Sequence, residues 1–122
     1  MAYEEALKRI TLLAGADLSS SQYCFVKLNS SGQVVVAGAD DRAIGVLQDT
    51  PAASGRAACV GIDGVSKVLF GGTVSKGAAV TSDANGKAVA LTSGDAYSHG
   101  IARDGGHDGE VQAVILQPIG LT

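Results

Sequence analysis

The densest group of side chains that could bind a metal lies near the C-terminus, in the segment SHGIARDGGHDGE. Its imidazoles and carboxylates belong to His99, Asp104, His107, Asp108 and Glu110. In a hairpin the two imidazoles could approach each other near the turn, where a carboxylate would complete a set of ligands. However, Asp-Gly-Gly and Asp-Gly are also ordinary turn sequences. We therefore predict a turn without a metal, and a small metal-binding β-protein using His99 and His107 is kept as an alternative.

A second possible ion site is the segment VTSDANGKAVAL, residues 80–91, which looks like a calcium-binding loop. With Gly86 at the sixth position of such a loop, Thr81 takes the first position and Thr92 the twelfth. An EF-hand needs an acidic residue at the first position and a bidentate Glu at the twelfth, and both are missing. Because Asn-Gly accepts positive φ at low cost, the segment instead predicts a β-hairpin that turns at Asn85 and Gly86.

The chain offers no convincing pair of nucleophile and base. Ser98 precedes His99, but neighbours along a strand point to opposite faces, so the hydroxyl and the imidazole cannot easily meet. The glycine-rich segment GGTVSKG lacks the G-x-x-x-x-G-K-[ST] spacing of a phosphate-binding loop. We predict no catalytic residue, no cofactor and no enzymatic activity.

A lysine beside the predicted hairpin turn suggests a different function. The segment GGTVSKGAAV, followed by the turn and Lys87, is similar to biotinyl and lipoyl carrier domains, in which a lysine at a hairpin tip is acylated. Those domains carry Met-Lys-Met or Asp-Lys-Ala at the tip, whereas Lys87 follows the turn between Gly86 and Ala88. A carrier domain modified at Lys87 is therefore a second alternative.

The composition determines which elements can position these residues. A length of 122 residues corresponds to one domain. Seventeen glycines and an apolar fraction of 46% with no Trp indicate many tight turns around an aliphatic core. The net charge of −3 gives no basic surface for nucleic acid or anionic lipid, and no apolar run has the length of a membrane span. We predict that neither nucleic acid nor a membrane is a partner.

The two cysteines, Cys24 and Cys59, lie in apolar segments that resemble strands. We predict that both are buried free thiols, as is usual for a protein that folds in a reducing cytosol. The N-terminal sequence MAYEEALKRI begins with acidic residues and has no apolar region of the kind that a secretory signal requires.

Short apolar segments separated by Gly, Asp or Asn follow one another along most of the chain, which predicts a mainly β, single-domain small barrel or sandwich. We expect an N-terminal arm and linker over residues 1–20, a β-rich body over residues 21–117 and a C-terminal tail over residues 118–122. The body contains a faint repeat, since GVLQD and GIARD are followed by GRAACV and GEVQAV. Chance and two β-units of similar plan both explain this repeat.

The N-terminal arm has two possible conformations. Its apolar spacing and its order of charges are typical of a short helix, and an extended arm is the other possibility. Five large apolar side chains in a segment without a confident strand predict a binding surface: Tyr3, Leu7, Ile10, Leu12 and Leu13. We expect the arm to become ordered when it binds, and a chain that starts at Gly15 to fold without it.

The segment AIGVLQDTPAASGRAACVGIDGVSKVLFGGTVSKGAAVTSDANGKAVAL, residues 43–91, resembles the capsid cement, or head decoration, proteins of tailed bacteriophages. The segments ITLLAGADLSSSQYCFVKLN and GIARDGGHDGEVQAVILQP are similar to the opening segment and the last hairpin of that family. The resemblance covers nearly the whole chain after Ile10, whereas the helical character of the first ten residues departs from the family.

The resemblance implies a structural virion protein made in the cytoplasm of a bacterial host. It implies a β-rich module on the outer surface of the phage head, which binds the major capsid protein and itself as a homotrimer and thereby stabilises the viral capsid. In that function the five apolar residues of the arm would contact the capsid or a neighbouring subunit.

Overall fold

A computed structural model describes residues 3–121, and the side chains of residues 3–117. The nine strands in this range are β1 (Glu5–Leu13), β2 (Phe25–Leu28), β3 (Val34–Val36), β4 (Gly45–Leu47), β5 (Ala57–Leu69), β6 (Ala79–Ser82), β7 (Ala88–Ala90), β8 (Tyr97–Ala102) and β9 (Val111–Leu121). No helix is present among these residues. The predicted mainly β fold is confirmed.

All strands belong to one curled antiparallel sheet with the order β3-β2-β4-β5-β9-β8-β6-β7, and β1 pairs with β5 outside this order. β5 is long enough to pair with three strands. Its first half lies between β1 and β4, and its second half pairs with β9. The result is a small β-barrel-like domain, as predicted, in which β5 holds the two halves of the sheet together.

The N-terminal segment is a strand, and the short helix that the charge order predicted is not formed. β1 pairs with β5 from Glu5 to Leu13, with register shifts on both sides of Lys8. Leu7 and Leu12 are half-buried against the two clusters of the core. Since a helix of one or two turns is unstable in water, cross-strand pairing and this burial decide the conformation.

The C-terminal segment up to Leu121 also belongs to the sheet, although residues 118–122 were expected to form a tail. β9 continues to Leu121 and pairs there with the beginning of β8. Pro118 falls in the irregular stretch where the register between these strands shifts, which is a place where a strand tolerates a residue without an N–H. Residues 5–13 and residues 118–121 therefore belong to the same sheet as the strands of residues 21–117.

The two cysteines are free thiols, as expected, but they differ in exposure. Cys24 is buried, whereas Cys59 is half-buried and not buried as predicted. Cys59 lies opposite Thr11 of β1, which is exposed, so less structure covers it.

The two halves of the chain have the same plan, which is one of the two explanations that the faint sequence repeat left open. The first half, which we call repeat 1, contains β1 to β4 and the first part of β5, residues 5–62. Repeat 2 contains the rest of β5 and the strands up to the middle of β9, residues 63–116. In repeat 1, β5 pairs with β1 and β4, and β2 pairs with β3 and β4. In repeat 2, β9 pairs with β5 and β8, and β6 pairs with β7 and β8.

The equivalence extends to single hydrogen bonds and to the core. Gly15 N–H donates to the carbonyl of Val34 in repeat 1, and Gly71 N–H donates to that of Ala88 in repeat 2. One core cluster consists of Ala14, Leu18, Val26, Val34, Leu47, Ala58 and Val60. All of these except Ala58 have a counterpart in the other cluster, which lies 54 to 56 positions later in the chain. In the same order, the counterparts are Phe70, Val74, Val80, Ala88, Ala102 and Val114.

Candidate functional site

The two histidines of the proposed metal cluster have different surroundings. His99 is buried on β8, and its Nε2–H donates to the carbonyl of Asp41 at 2.8 Å. His107 is exposed, with Nδ1 at 3.3 Å from the hydroxyl of Thr73, and its backbone N–H donates to the Glu110 carboxylate. No group of three His, Cys, Asp or Glu side chains within the described residues could hold a metal ion. The fold does not assemble the ligand set that the sequence suggested.

The segment that resembled a calcium loop is the β6–β7 hairpin turn. The Asp83 carboxylate accepts hydrogen bonds from the backbone N–H groups of Asn85 and Lys87, at 2.8 and 2.9 Å. Only Gly86 has positive φ, at 78°, so the prediction that the turn also uses Asn85 in this conformation is wrong. A type I turn followed by a glycine bulge explains both observations. The carboxylate that could have bound an ion organises the turn instead.

Lys87 does not lie at the tip of the hairpin. The exposed tip is formed by Ala84 and Asn85, whereas Lys87 is half-buried beside Gly71. Carrier domains present their acylated lysine at the tip, and this geometry differs from theirs.

A loop between β3 and β4 ties the two halves of the barrel together. Asp40 accepts hydrogen bonds from the backbone N–H groups of Ala96 and Tyr97, at 2.7 and 3.1 Å, and these bonds lower the pKa of its carboxyl group. Asp41 pairs with Lys27 at 2.6 Å, and this contact holds the pKa of the Asp41 carboxyl below its ordinary value.

His99 lies beneath this loop. Its ring packs against Phe25 at 5.2 Å and stacks on Tyr97 at 6.4 Å between ring centroids. Burial lowers the pKa of the imidazole, and the bond to the Asp41 carbonyl and the charge of Asp40 oppose this effect. Sequence reasoning missed the loop, because a side chain that caps backbone groups about 56 positions away leaves no local pattern.

The five predicted interface residues lie on β1 or just before it, on different faces. Leu7 and Leu12 are half-buried, while Tyr3, Ile10 and Leu13 are 37, 36 and 53% exposed. The Arg103 guanidinium stacks on the Tyr3 ring and pairs with Glu5. The segment is thus held against β5 and presents apolar side chains outward.

Two of these residues line an apolar groove of about 460 Å³. Its lining comprises Lys8, Ile10, Leu12, Leu28, Ile44, Ile62 and Asp63. Leu28, which is 44% exposed, closes the side opposite β1. The sequence did not predict Leu28, Ile44 and Ile62 as surface residues, because alternation along a strand does not show which face a neighbouring element covers.

The outer edge of β1 carries backbone groups that point away from β5. The N–H of Ala14 donates to the carbonyl of Arg56, so Ala14 faces β5. Because facing alternates along an antiparallel strand, the N–H and C=O of Arg9, Thr11 and Leu13 face outward. Such an edge accepts a strand or a turn from a partner.

Comparison with known proteins identifies this fold. The chain is similar to the N base of the head fiber protein gp8.5 of bacteriophage phi29, with a TM-score of 0.69 and 14% sequence identity. The match covers 95% of this chain and 98% of that chain. No family model and no curated protein matches the sequence. Within the described residues, no helix is long and apolar enough to cross a membrane.

Proposed function

We propose that the chain is a structural protein of a bacteriophage virion that binds the outside of the head. The observation that carries this proposal is the fold, which the chain shares over nearly its whole length with the base of a phage head fiber protein. The sequence features that resemble the head decoration family point independently to the same kind of particle. In the finer form of the proposal, the chain binds the outer surface of the major capsid lattice as a homotrimer and stabilises it.

The exposed face of β1 supports a binding function of this kind. Tyr3, Ile10 and Leu13 present apolar surface, and the half-buried Leu7 and Leu12 anchor the strand beneath it. Large exposed aliphatic side chains beside an open strand edge are typical of protein–protein contacts. We propose that these five residues contact a capsid subunit or a neighbouring copy of the chain.

Neither alternative function is favoured by a specific observation. Lys87 lies behind the tip of its hairpin, and His99 and His107 have separate partners. The intact mass of the chain from a host that attaches biotin and lipoate is a direct check on Lys87. An added cofactor mass would support the carrier domain.

Cosedimentation with assembled heads tests the proposal. The heads should come from the phage whose genome encodes the chain, and the input should include heads without it. We expect the chain to pellet with heads at a fixed ratio and to raise the temperature at which they open. A chain that stays in the supernatant at every concentration would contradict the proposed function.

A further inference from the structure

One face of repeat 2 is covered by repeat 1, through a loop of residues 38–43 over Ser82 and His99 and through Gln48, whose side-chain amide donates to the Ser66 hydroxyl at 2.9 Å. The His99 imidazole donates to the carbonyl of Asp41, and Asp40 N–H donates to the carbonyl of Ser82 at 3.0 Å. The positions of repeat 2 that lie on this face are all buried: Ser66, Val68, Ser82, His99 and Leu116.

The same face of repeat 1 is uncovered. Val26 pairs with Gly45 as Val80 pairs with Gly100, so Ile44, which precedes Gly45, is the counterpart of His99. By the same registers, the counterparts of the buried set are Ile10, Leu12, Leu28, Ile44 and Ile62. These five residues line the apolar groove.

The chemistry of the two faces differs in an informative way. The covered face contains two serines and a histidine, whereas the uncovered face is aliphatic at all five positions. Aliphatic surface is more costly to leave in water than polar surface. The face of repeat 1 that no other part of the chain covers is therefore the one whose burial would stabilise the protein more.

Repeat 2 has its own counterpart of the covering loop, residues 92–97. Thr92 N–H donates to the Asp95 carboxylate at 2.8 Å, as Gly38 N–H donates to that of Asp41 at 2.7 Å. Most of this second loop is exposed.

We propose that a second copy of this chain occupies the groove, with its loop of residues 92–97 covering Ile10, Leu28 and Ile44. The contact reproduces between copies the contact that the loop of residues 38–43 makes within one copy. It deepens the homotrimer of the proposed function, on which it rests for its biological setting, by assigning the surfaces that meet.

A second contact between the repeats is also made only once within the chain. Leu69 N–H donates to the carbonyl of Tyr23 at 2.9 Å, and both residues are half-buried. The counterparts are Leu13, whose N–H faces outward from β1, and Gly77, and both are exposed. Within residues 3–121 no hydrogen bond joins them. In the proposed contact, Leu13 of one copy meets Gly77 of the next.

The hairpin turns give a third example. Phe25 N–H donates to the carbonyl of Gly86 in the β6–β7 turn, at 2.6 Å. Gly32 occupies the equivalent position in the β2–β3 turn and is exposed, with no atom within 4 Å of an added Cβ. The counterpart of Phe25 is Ala79, so Gly32 of one copy would contact Ala79 of another. Three contacts therefore join the repeats within one chain: the loop over the face, the bond between Leu69 and Tyr23, and the bond between Phe25 and Gly86. In the proposed contact, the counterparts of these residues form the same three contacts between two copies.

Each copy has one groove and one loop of residues 92–97, so the contact is head-to-tail. Heterologous contacts of this kind close into rings when the rotation permits. A ring of three copies would contain six repeats in equivalent surroundings.

Sedimentation of matched variants tests the contact. Leu28→Lys places a charge in the groove, and Ile115→Lys places one at a similarly exposed position on β9, 46% against 44%. We expect the wild type and Ile115→Lys to sediment as the same oligomer and Leu28→Lys as a folded monomer, with circular dichroism confirming the β-structure of each. An oligomer of Leu28→Lys like that of the wild type, or a monomeric wild type, would overturn the proposal.

Cross-linking then tests the direction of the contact. In a Cys59→Ser background, one chain carries Leu28→Cys and another carries Ser93→Cys, and a short bismaleimide is added. We expect covalent dimers in the mixture and none from either chain alone, while Asp108→Cys in place of Ser93→Cys should give none. Dimers from Leu28→Cys alone, or no dimers in the mixture, would overturn the proposal. Association without binding to heads would contradict the proposed function and leave the contact intact.

Discussion

At the scale of single residues, Gly32 and Gly86 adopt the same backbone conformation in equivalent turns. Their φ values are 76° and 78°. An added Cβ at Gly32 meets nothing, whereas at Gly86 it lies 2.8 Å from the carbonyl oxygen of Phe25. Replacing each glycine by alanine therefore separates two effects on stability. The effect of a positive φ is common to both positions, and the clash with the Phe25 carbonyl occurs only at Gly86.

We expect Gly32→Ala to lower the free energy of unfolding by about 1 kcal/mol, the cost of a left-handed conformation for a residue with a Cβ. Gly86→Ala should cost about 1–3 kcal/mol more, because the backbone atom it meets cannot move away as a side chain can. Urea unfolding of both variants is the measurement. Equal losses would show that the turn of repeat 2 is not docked on β2. Calcium should change neither midpoint.

The buried His99 predicts a pH dependence. Its pKa is below the ordinary value of 6.5 because burial disfavours the imidazolium. The unfolded chain thus takes up a proton at a higher pH than the folded chain. Stability should decrease as the pH falls through 6.5 and level off below the folded-state pKa. Asp40, Asp41, Lys27 and Tyr97 carry the charged or titratable groups around the ring.

Urea midpoints between pH 8 and pH 5 measure this effect. We expect His99→Gln, whose amide can still donate to the Asp41 carbonyl, to remove most of the decrease. His107→Gln is the control for the loss of a histidine at an exposed site. A wild-type slope in His99→Gln would assign the pH dependence to another group. The carboxyl groups of Asp40 and Asp41 act in a lower range, because their pKa values lie below 3.8.

At the scale of elements, the position of β1 changes what truncation should do. From the sequence, a chain that starts at Gly15 was expected to fold normally. In the structure β1 pairs with β5 along its length, and Leu7, Leu12 and Ala14 pack on the core. Removing the strand would uncover these contacts and expose an edge of β5.

We therefore expect a chain that starts at Gly15 to lose thermal stability strongly and to aggregate through the edge of β5. A chain that starts at Glu4 keeps the strand and is the matched control. Differential scanning calorimetry with light scattering measures both properties. An unchanged melting temperature for the shorter chain would mean that β1 contributes little to the fold in solution.

At the scale of the whole molecule, the repeats share one core. One hydrophobic cluster joins Phe25 and Val46 of repeat 1 to Phe70, Val80 and Val114 of repeat 2. β5 begins in one repeat and ends in the other. Neither repeat can lose its packing without exposing part of the other.

This arrangement predicts a single cooperative unfolding transition, in spite of the internal repeat. In a Tyr3→Phe background, tyrosine fluorescence reports on Tyr23 in repeat 1 and Tyr97 in repeat 2. Far-ultraviolet circular dichroism reports on all strands. We expect the variants Tyr23→Phe and Tyr97→Phe to give the same urea midpoint by both methods. Two separate transitions would show that the repeats fold independently.

The sequence by itself determined the class of fold and most of the turns. Glycines with positive φ and short aliphatic segments are local features, because a turn and a strand face depend on adjacent residues. Asn85 and Gly86 therefore predicted a hairpin that the structure contains, although only Gly86 of the two has positive φ. The repeat was also visible, since GVLQD and GIARD became equivalent strands.

Only the tertiary structure decided the state of the N-terminal segment and the location of the candidate interface. The charges of residues 4–9 favour a helix locally, but pairing with β5 supplies hydrogen bonds and burial that a short helix lacks. Ile44 and His99 occupy equivalent positions, yet one is half-buried at a groove and the other is buried beneath a loop. Which of two equivalent faces is covered depends on contacts between residues far apart in the chain, and no local pattern contains that information.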